Sequence, residues 1–156
     1  MKKILFITAL CAVAAFSVQN SNAQTKKKLN KPASEWKKAL TPDQYEIMVE
    51  SGTEPPYKNA YWNNHEKGVY VSAATGDILF SSDDKYDSHT GWPSFVKPFD
   101  PSKVEVVKDN SLGMTRDEVI EKSTGLHLGH VFDDGPADRG GKRYCMNSGA
   151  LKFIKK

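Results

Sequence analysis

From residue 68 onward the chain is a succession of short β-branched or aromatic runs, each ended by turn-forming residues. "GVYVSA" (68–73), "TGDILFSS" (75–82), "KVEVVKD" (103–109), "LHLGHVF" (126–132) and "RYCMNSGALKFI" (143–154) all have this form. "DDGPADRGG" (133–141) is a long turn-rich loop between the last two. "MTRDEVIEKS" (114–123) is ambiguous by pattern, but it is short and β-branched, which favours a strand. Runs of this length separated by Gly, Pro, Asn and Asp read as strands joined by tight turns. In "KVEVVKD" the alternation places Val104 and Val106 on one face. The expected class is mainly β, an antiparallel domain carrying a helical N-terminal arm.

The arm lies in residues 33–52. Ser34 is placed to cap "EWKKAL". "TPDQYEIMVESG" then opens with Thr41 as N-cap, Pro42 at the first helical position and Gln44 three residues after the cap, a capping box. Tyr45, Ile47 and Met48 fall on one side, and Gly52 is the expected stop. "TEPPYKN" (53–59) is a proline-locked extended connection. At 156 residues the chain allows one ordinary domain, with hydrophobic content of 38% and charged content of 26% fitting a soluble globular core.

Residues 1–23 read as a secretory signal peptide. "MKK" is a basic n-region, "ILFITALCAVAAF" an apolar h-region, and "SNA" (21–23) a cleavage site before Gln24. The expected location is therefore exported, in the periplasm or cell envelope. A membrane anchor, through an uncleaved segment or a lipidated Cys11, is the rival; Leu10 is large for a lipidation site, and the apolar run continues past the cysteine. Residues 24–33 are a basic linker, and 34–156 the domain. Cleavage lowers the formal charge of +3 to +1, because Lys2 and Lys3 leave with no acid. Nothing in that balance calls for nucleic acid.

Cleavage also takes Cys11 and leaves Cys145 alone. An unpaired cysteine in an oxidising compartment is flagged as reactive. Arg143, Cys145 and Asn147 stand at i, i+2 and i+4, so on an extended strand they share a face. A guanidinium beside a thiol favours the thiolate and lowers its pKa. His127 and His130 would face opposite sides of a regular strand, but Gly129 between them permits a bulge that brings both rings to one site. Two histidines near a thiol serve acid–base work, or ligate a metal together with it. Trp92, confined between Gly91 and Pro93 in "GWPSF", can wall a small apolar pocket. Asp133 and Asp134 open a turn, and one could orient a histidine.

Taken in order, "EPPY", "GVYVSAATGDILFSSDDKYDSHTGWPSF", "HLGHVFDDGP" and "RYCMNSGALKF" resemble the B-type methionine sulfoxide reductases, over roughly residues 34–156. The resemblance implies two antiparallel β-sheets with short N-terminal helices. It implies reduction of the R epimer of methionine sulfoxide in proteins, a repair activity under oxidative stress. It makes Cys145 the nucleophile, with His127, His130, Arg143 and Asn147 around it. Trp92 and Phe132 would cage the substrate's S-methyl group, and Asp134 would be an acidic residue of the same site.

Two departures from the family pattern stand out. Where many members hold a structural zinc with two C-x-x-C pairs, this chain has Ser72, Thr75, Glu121 and Thr124, so no cofactor is expected. Many members also carry a resolving cysteine, and "DSHT" (87–90) has none. The Cys145 sulfenic acid should then be reduced by an external thiol, such as a thioredoxin-like partner. The expected partners are oxidised protein substrates and that reductant, with no nucleic acid, no membrane span after cleavage, and a monomeric state. The competing readings are a metal module built on His127, His130 and Cys145, a binding module without turnover, and a cysteine hydrolase.

Overall fold

A computed structural model of the chain describes residues 29–156. The expected signal peptide lies outside the described residues, as does most of the 24–33 linker. Among the described residues no helix is long and apolar enough to cross a membrane.

The arm forms two helices, α1 (Ala33–Ala39) and α2 (Pro42–Met48). The Thr41 capping box is present in both directions. The Gln44 N–H donates to Thr41 Oγ1 at 3.3 Å, and the Thr41 N–H donates to Gln44 Oε1 at 3.1 Å. Two expectations are corrected. Ser34 does not cap α1: the cap position is Pro32, whose side chain accepts nothing, and Ser34 lies within the first turn. Gly52 does not stop α2, which ends at Met48; the left-handed residue beyond it is Ser51, at φ 58°. Trp36, Leu40, Ile47 and Met48 are buried, so the arm is held by its apolar side rather than by helix length.

Nine strands follow among the described residues: β1 (Gly68–Ser72), β2 (Ile78–Ser81), β3 (Lys85–Tyr86), β4 (Ser94–Phe95), β5 (Val104–Asp109), β6 (Arg116–Glu121), β7 (His127–Phe132), β8 (Arg143–Met146) and β9 (Leu151–Lys155). They make a three-stranded sheet, β2-β1-β9, and a six-stranded sheet, β3-β4-β8-β7-β6-β5, antiparallel at every pairing. The ambiguous segment is strand β6. In β5, Val104 is buried but Val106 is exposed. β5 is the edge of its sheet, so one side of Val106 has no strand to cover it.

Alternation sorts the six-stranded sheet into two faces. Phe95, Val131, Met146 and Val119 point inward to a core shared with Tyr70, Leu79 and Phe80 of the small sheet, and Tyr144 packs against it. Phe80 and Phe95 stack across the gap with ring centres 4.5 Å apart. Ser94, Cys145, His130 and Glu118 lie on the alternate, outer face.

A polar clip joins the turns of the two sheets. Glu121, wholly buried at the end of β6, accepts hydrogen bonds from Thr75 Oγ1 at 2.5 Å and Thr124 Oγ1 at 2.7 Å. Ser72 Oγ accepts the amides of Ala74 and Thr75. The four positions where the resembled family places zinc cysteines are thus drawn together, with hydroxyl-to-carboxyl bonds between them.

Candidate active site

One cross-strand row on the outer face runs through Cys145. Tyr86 pairs with Ser94, Ser94 with Cys145, Cys145 with His130, and His130 with Glu118. Facing positions in an antiparallel sheet hold their Cβ atoms about 4.5–5.5 Å apart. Cys145 is therefore flanked by Ser94 on one side and His130 on the other. Thr90 Oγ1 is 4.0 Å from its sulfur.

The expected lowering of the Cys145 pKa is corrected. Burial pushes the thiol above its ordinary value, and the Arg143 charge with the hydroxyls of Thr90 and Ser94 only partly opposes it. The cysteine has been taken further out of water than one cation restores. The resting form is thus the thiol, and its proton stays on sulfur until something takes it.

The two histidines do share a site. Gly129 pairs with Val119 while His127 pairs with Ile120, which leaves Leu128 as an extra residue in β7. This bulge turns His127 onto the face of His130, and the ring centres are 5.3 Å apart. The bulged residue is Leu128, whose side chain is buried in the core. Gly129 is required for a different reason. A Cβ there would lie 2.1 Å from the Cys145 carbonyl oxygen, so only glycine lets β7 approach β8 this closely.

Each ring has a carboxyl partner. His127 Nδ1 is 2.7 Å from Glu118 Oε1, and His130 Nε2 is 2.9 Å from Asp109 Oδ2. Burial opposes the charge on Asp109, but hydrogen bonds from Ser111, His130 and Arg116 outweigh it and hold the carboxyl well below the usual range. Asp109 therefore stays an anion and fixes the His130 ring. Asp109→Asn keeps the shape and removes the charge; kcat should fall roughly tenfold with KM little changed, the scale of one charge-assisted hydrogen bond. Steady-state kinetics check this, and an unchanged kcat would refute it.

Arg143 is committed to Asp134 through Nε and Nη2, both at 2.8 Å, and its guanidinium lies 4.4 Å from the centre of the Phe132 ring. The Arg143 bond holds the Asp134 carboxyl below its ordinary pKa. Asp134 thus locks Arg143 in place over Phe132.

Asn147 lies just past β8 and uses both ends of its amide. Nδ2 donates to the Leu128 carbonyl at 3.3 Å, and Oδ1 accepts the Glu54 N–H at 3.2 Å. Trp92 donates its indole N–H to the Glu54 carbonyl at 2.9 Å. The Glu54 carboxyl in turn accepts the amides of Ser148 and Gly149. The proline-locked connection therefore fastens the tryptophan loop to the turn after Cys145.

Glu54, Tyr86, Asp109 and Glu118 were not picked out from the sequence. Glu54 had a signal in "EPPY"; the other three reach the site only through strand pairing. Among the described residues no group of three or more His, Cys, Asp or Glu side chains is arranged to hold a metal ion.

Comparison with known proteins gives the family of the chain. The SelR domain model matches residues 40–155. A peptide methionine sulfoxide reductase MsrB of Leptospira interrogans is 51% identical over 127 residues, covering 81% of this chain and 96% of that protein. A peptide methionine sulfoxide reductase MsrA/MsrB of Vibrio cholerae is 48% identical over 138 residues, covering 88% of this chain but 36% of that longer protein. With a family model spanning most of its length and a relative matched almost end to end, the chain belongs to the SelR (MsrB) family.

Proposed function

We propose that this protein reduces the R epimer of methionine sulfoxide in oxidised proteins, with Cys145 as nucleophile. The observation that carries this reading is the pairing of Cys145 with His130 in one row, beside Arg143, on the face turned away from the core. A sulfoxide sulfur becomes electrophilic once its oxygen is protonated. His130, held by Asp109, donates that proton, and such general-acid help is worth about 10²–10⁴-fold. The sulfur of Cys145 loses its proton as the sulfoxide oxygen gains one, attacks the substrate sulfur, and ends as a sulfenic acid while methionine leaves. His127 and Glu118 support the His130 ring, and Asn147 fixes the backbone that presents Cys145. Trp92 and Phe132 wall the space for the S-methyl group, and Asp134 sets the Arg143–Phe132 wall.

Cys145 is the one free cysteine among the described residues, so an external thiol, of the thioredoxin-like dithiol class, returns it to the thiol. We place the protein outside the cytoplasm as a monomer, with signal removal at Ala23 and no bound cofactor. The test is turnover of separated R- and S-sulfoxides of a methionine peptide, with dithiothreitol as reductant. Consumption of the R form alone is expected, and consumption of the S form alone sinks the proposal.

A further inference from the structure

The Tyr86 hydroxyl is buried and makes no hydrogen bond. A phenol oxygen both donates and accepts, and leaving it unpaired out of water is unfavourable. Phenylalanine would fill the same space without that penalty, so the hydroxyl calls for an explanation. Its place supplies one. Tyr86 heads the row Tyr86–Ser94–Cys145–His130. Its backbone stands two strand spacings, about 10 Å, from that of Cys145, and a tyrosine side chain covers much of that distance. Burial raises the phenol pKa, and the charges that act on it are those of Arg143, Asp134, Cys145 and Arg139.

The neighbouring polar groups are already engaged. Ser94 Oγ bonds with Ser88 and the Trp92 carbonyl, Thr90 Oγ1 with Ser88 and the Cys145 sulfur, Asn147 with Glu54 and Leu128, and Arg143 with Asp134. Tyr86 keeps an uncommitted donor on the side of Cys145 opposite His130.

We propose that the Tyr86 hydroxyl donates a hydrogen bond to the oxygen that Cys145 takes from the sulfoxide, and holds the sulfenic acid until an external thiol arrives. This rests on the reductase reading above. In the first step the Cys145 thiol and the sulfoxide become a Cys145 sulfenic acid and methionine: the substrate S–O bond breaks, a Cys145 S–O bond forms, and two electrons pass from Cys145 to the substrate sulfur. Recycling consumes two external thiols, which leave as a disulfide and water. The competing loss is attack on peroxide, which gives the sulfinic acid and water, and that product is not recovered by thiols. With no second cysteine among the described residues to capture the sulfenic acid as a disulfide, its survival depends on what surrounds it.

The experiment compares the wild-type full chain with Tyr86→Phe. Each receives stoichiometric R-sulfoxide of N-acetylmethionine amide without reductant, then hydrogen peroxide. Methionine release is measured by chromatography and sulfinic acid by the mass of the proteolytic peptide that carries Cys145, the latter per mole of methionine released. Tyr86→Phe should over-oxidise about tenfold faster, the scale of one lost hydrogen bond, and melt no lower than wild type. Equal over-oxidation rates overturn the proposal. So does a lower melting point, which would mean the hydroxyl has a partner in the folded protein, and so does a variant that releases no methionine, which would place Tyr86 in an earlier step. Failure of the wild type itself to release methionine defeats the reductase reading, and this inference with it.

Discussion

Cys145→Ser should abolish reduction of the R-sulfoxide, by more than roughly 10³-fold, the scale seen when a catalytic nucleophile is removed. Serine fits the space, and its neighbours Thr90, Ser94 and His130 can all hydrogen-bond a hydroxyl, so melting should change little. What is lost is the ability to accept oxygen: a hydroxyl oxygen cannot reach a sulfenic state, and no second thiol stands among the described residues. The same cysteine should show a pH signature. Burial holds its pKa above the ordinary value despite Arg143. Alkylation by iodoacetamide, which needs the thiolate, should then be slower at neutral pH than for a cysteine peptide. It should keep rising with pH beyond the point where the peptide levels off. Alkylation already complete in its pH response at neutrality would contradict a resting thiol, and retained turnover in Cys145→Ser would remove Cys145 from the mechanism.

Much of this site was legible in the sequence because its parts are local. The i, i+2, i+4 spacing of Arg143, Cys145 and Asn147 and the His127–Leu128–Gly129–His130 run each lie within one strand or just past its end, where alternation and a single bulge decide direction. The capping box at Thr41 was readable for the same reason. Partners that come from elsewhere were not. Asp109 reaches His130 because β5 and β6 form a hairpin beside β7, and Tyr86 joins the row only because β3 closes the far edge of the sheet. Periodicity carries no signal for such neighbours. Val106 shows the complementary failure: alternation gave its face, but burial depends on being covered, and an edge strand is not. The Cys145 pKa shows it again, since the sequence displayed the cation and concealed the desolvation.

Removal of the Glu121 carboxyl should produce the largest loss of stability. Glu121 is fully buried and joins the turn after β1 to the turn after β6 through Thr75 and Thr124. Glu121→Ala leaves both hydroxyls without their acceptor and opens a cavity at the join of the two sheets. Cavity and unsatisfied polar groups together cost about 3–5 kcal/mol, which lowers the melting temperature of a domain this size by on the order of 10 °C. Glu121→Gln keeps the volume and one acceptor, and the threonine hydroxyls can turn to meet its amide, so its loss should be well under half as large. Below the melting transition both variants should keep the R-sulfoxide kcat, because Glu121 faces the core while Cys145 lies on the outer face. A chelator should leave the wild-type midpoint unmoved, since hydroxyl and carboxyl groups here bond to one another where thiolates would grip a metal. Thermal unfolding followed by circular dichroism, with and without chelator, measures all three. A Glu121→Ala midpoint equal to wild type would show that apolar packing alone holds the sheets. A chelator-induced drop would show that the clip works through a metal ion.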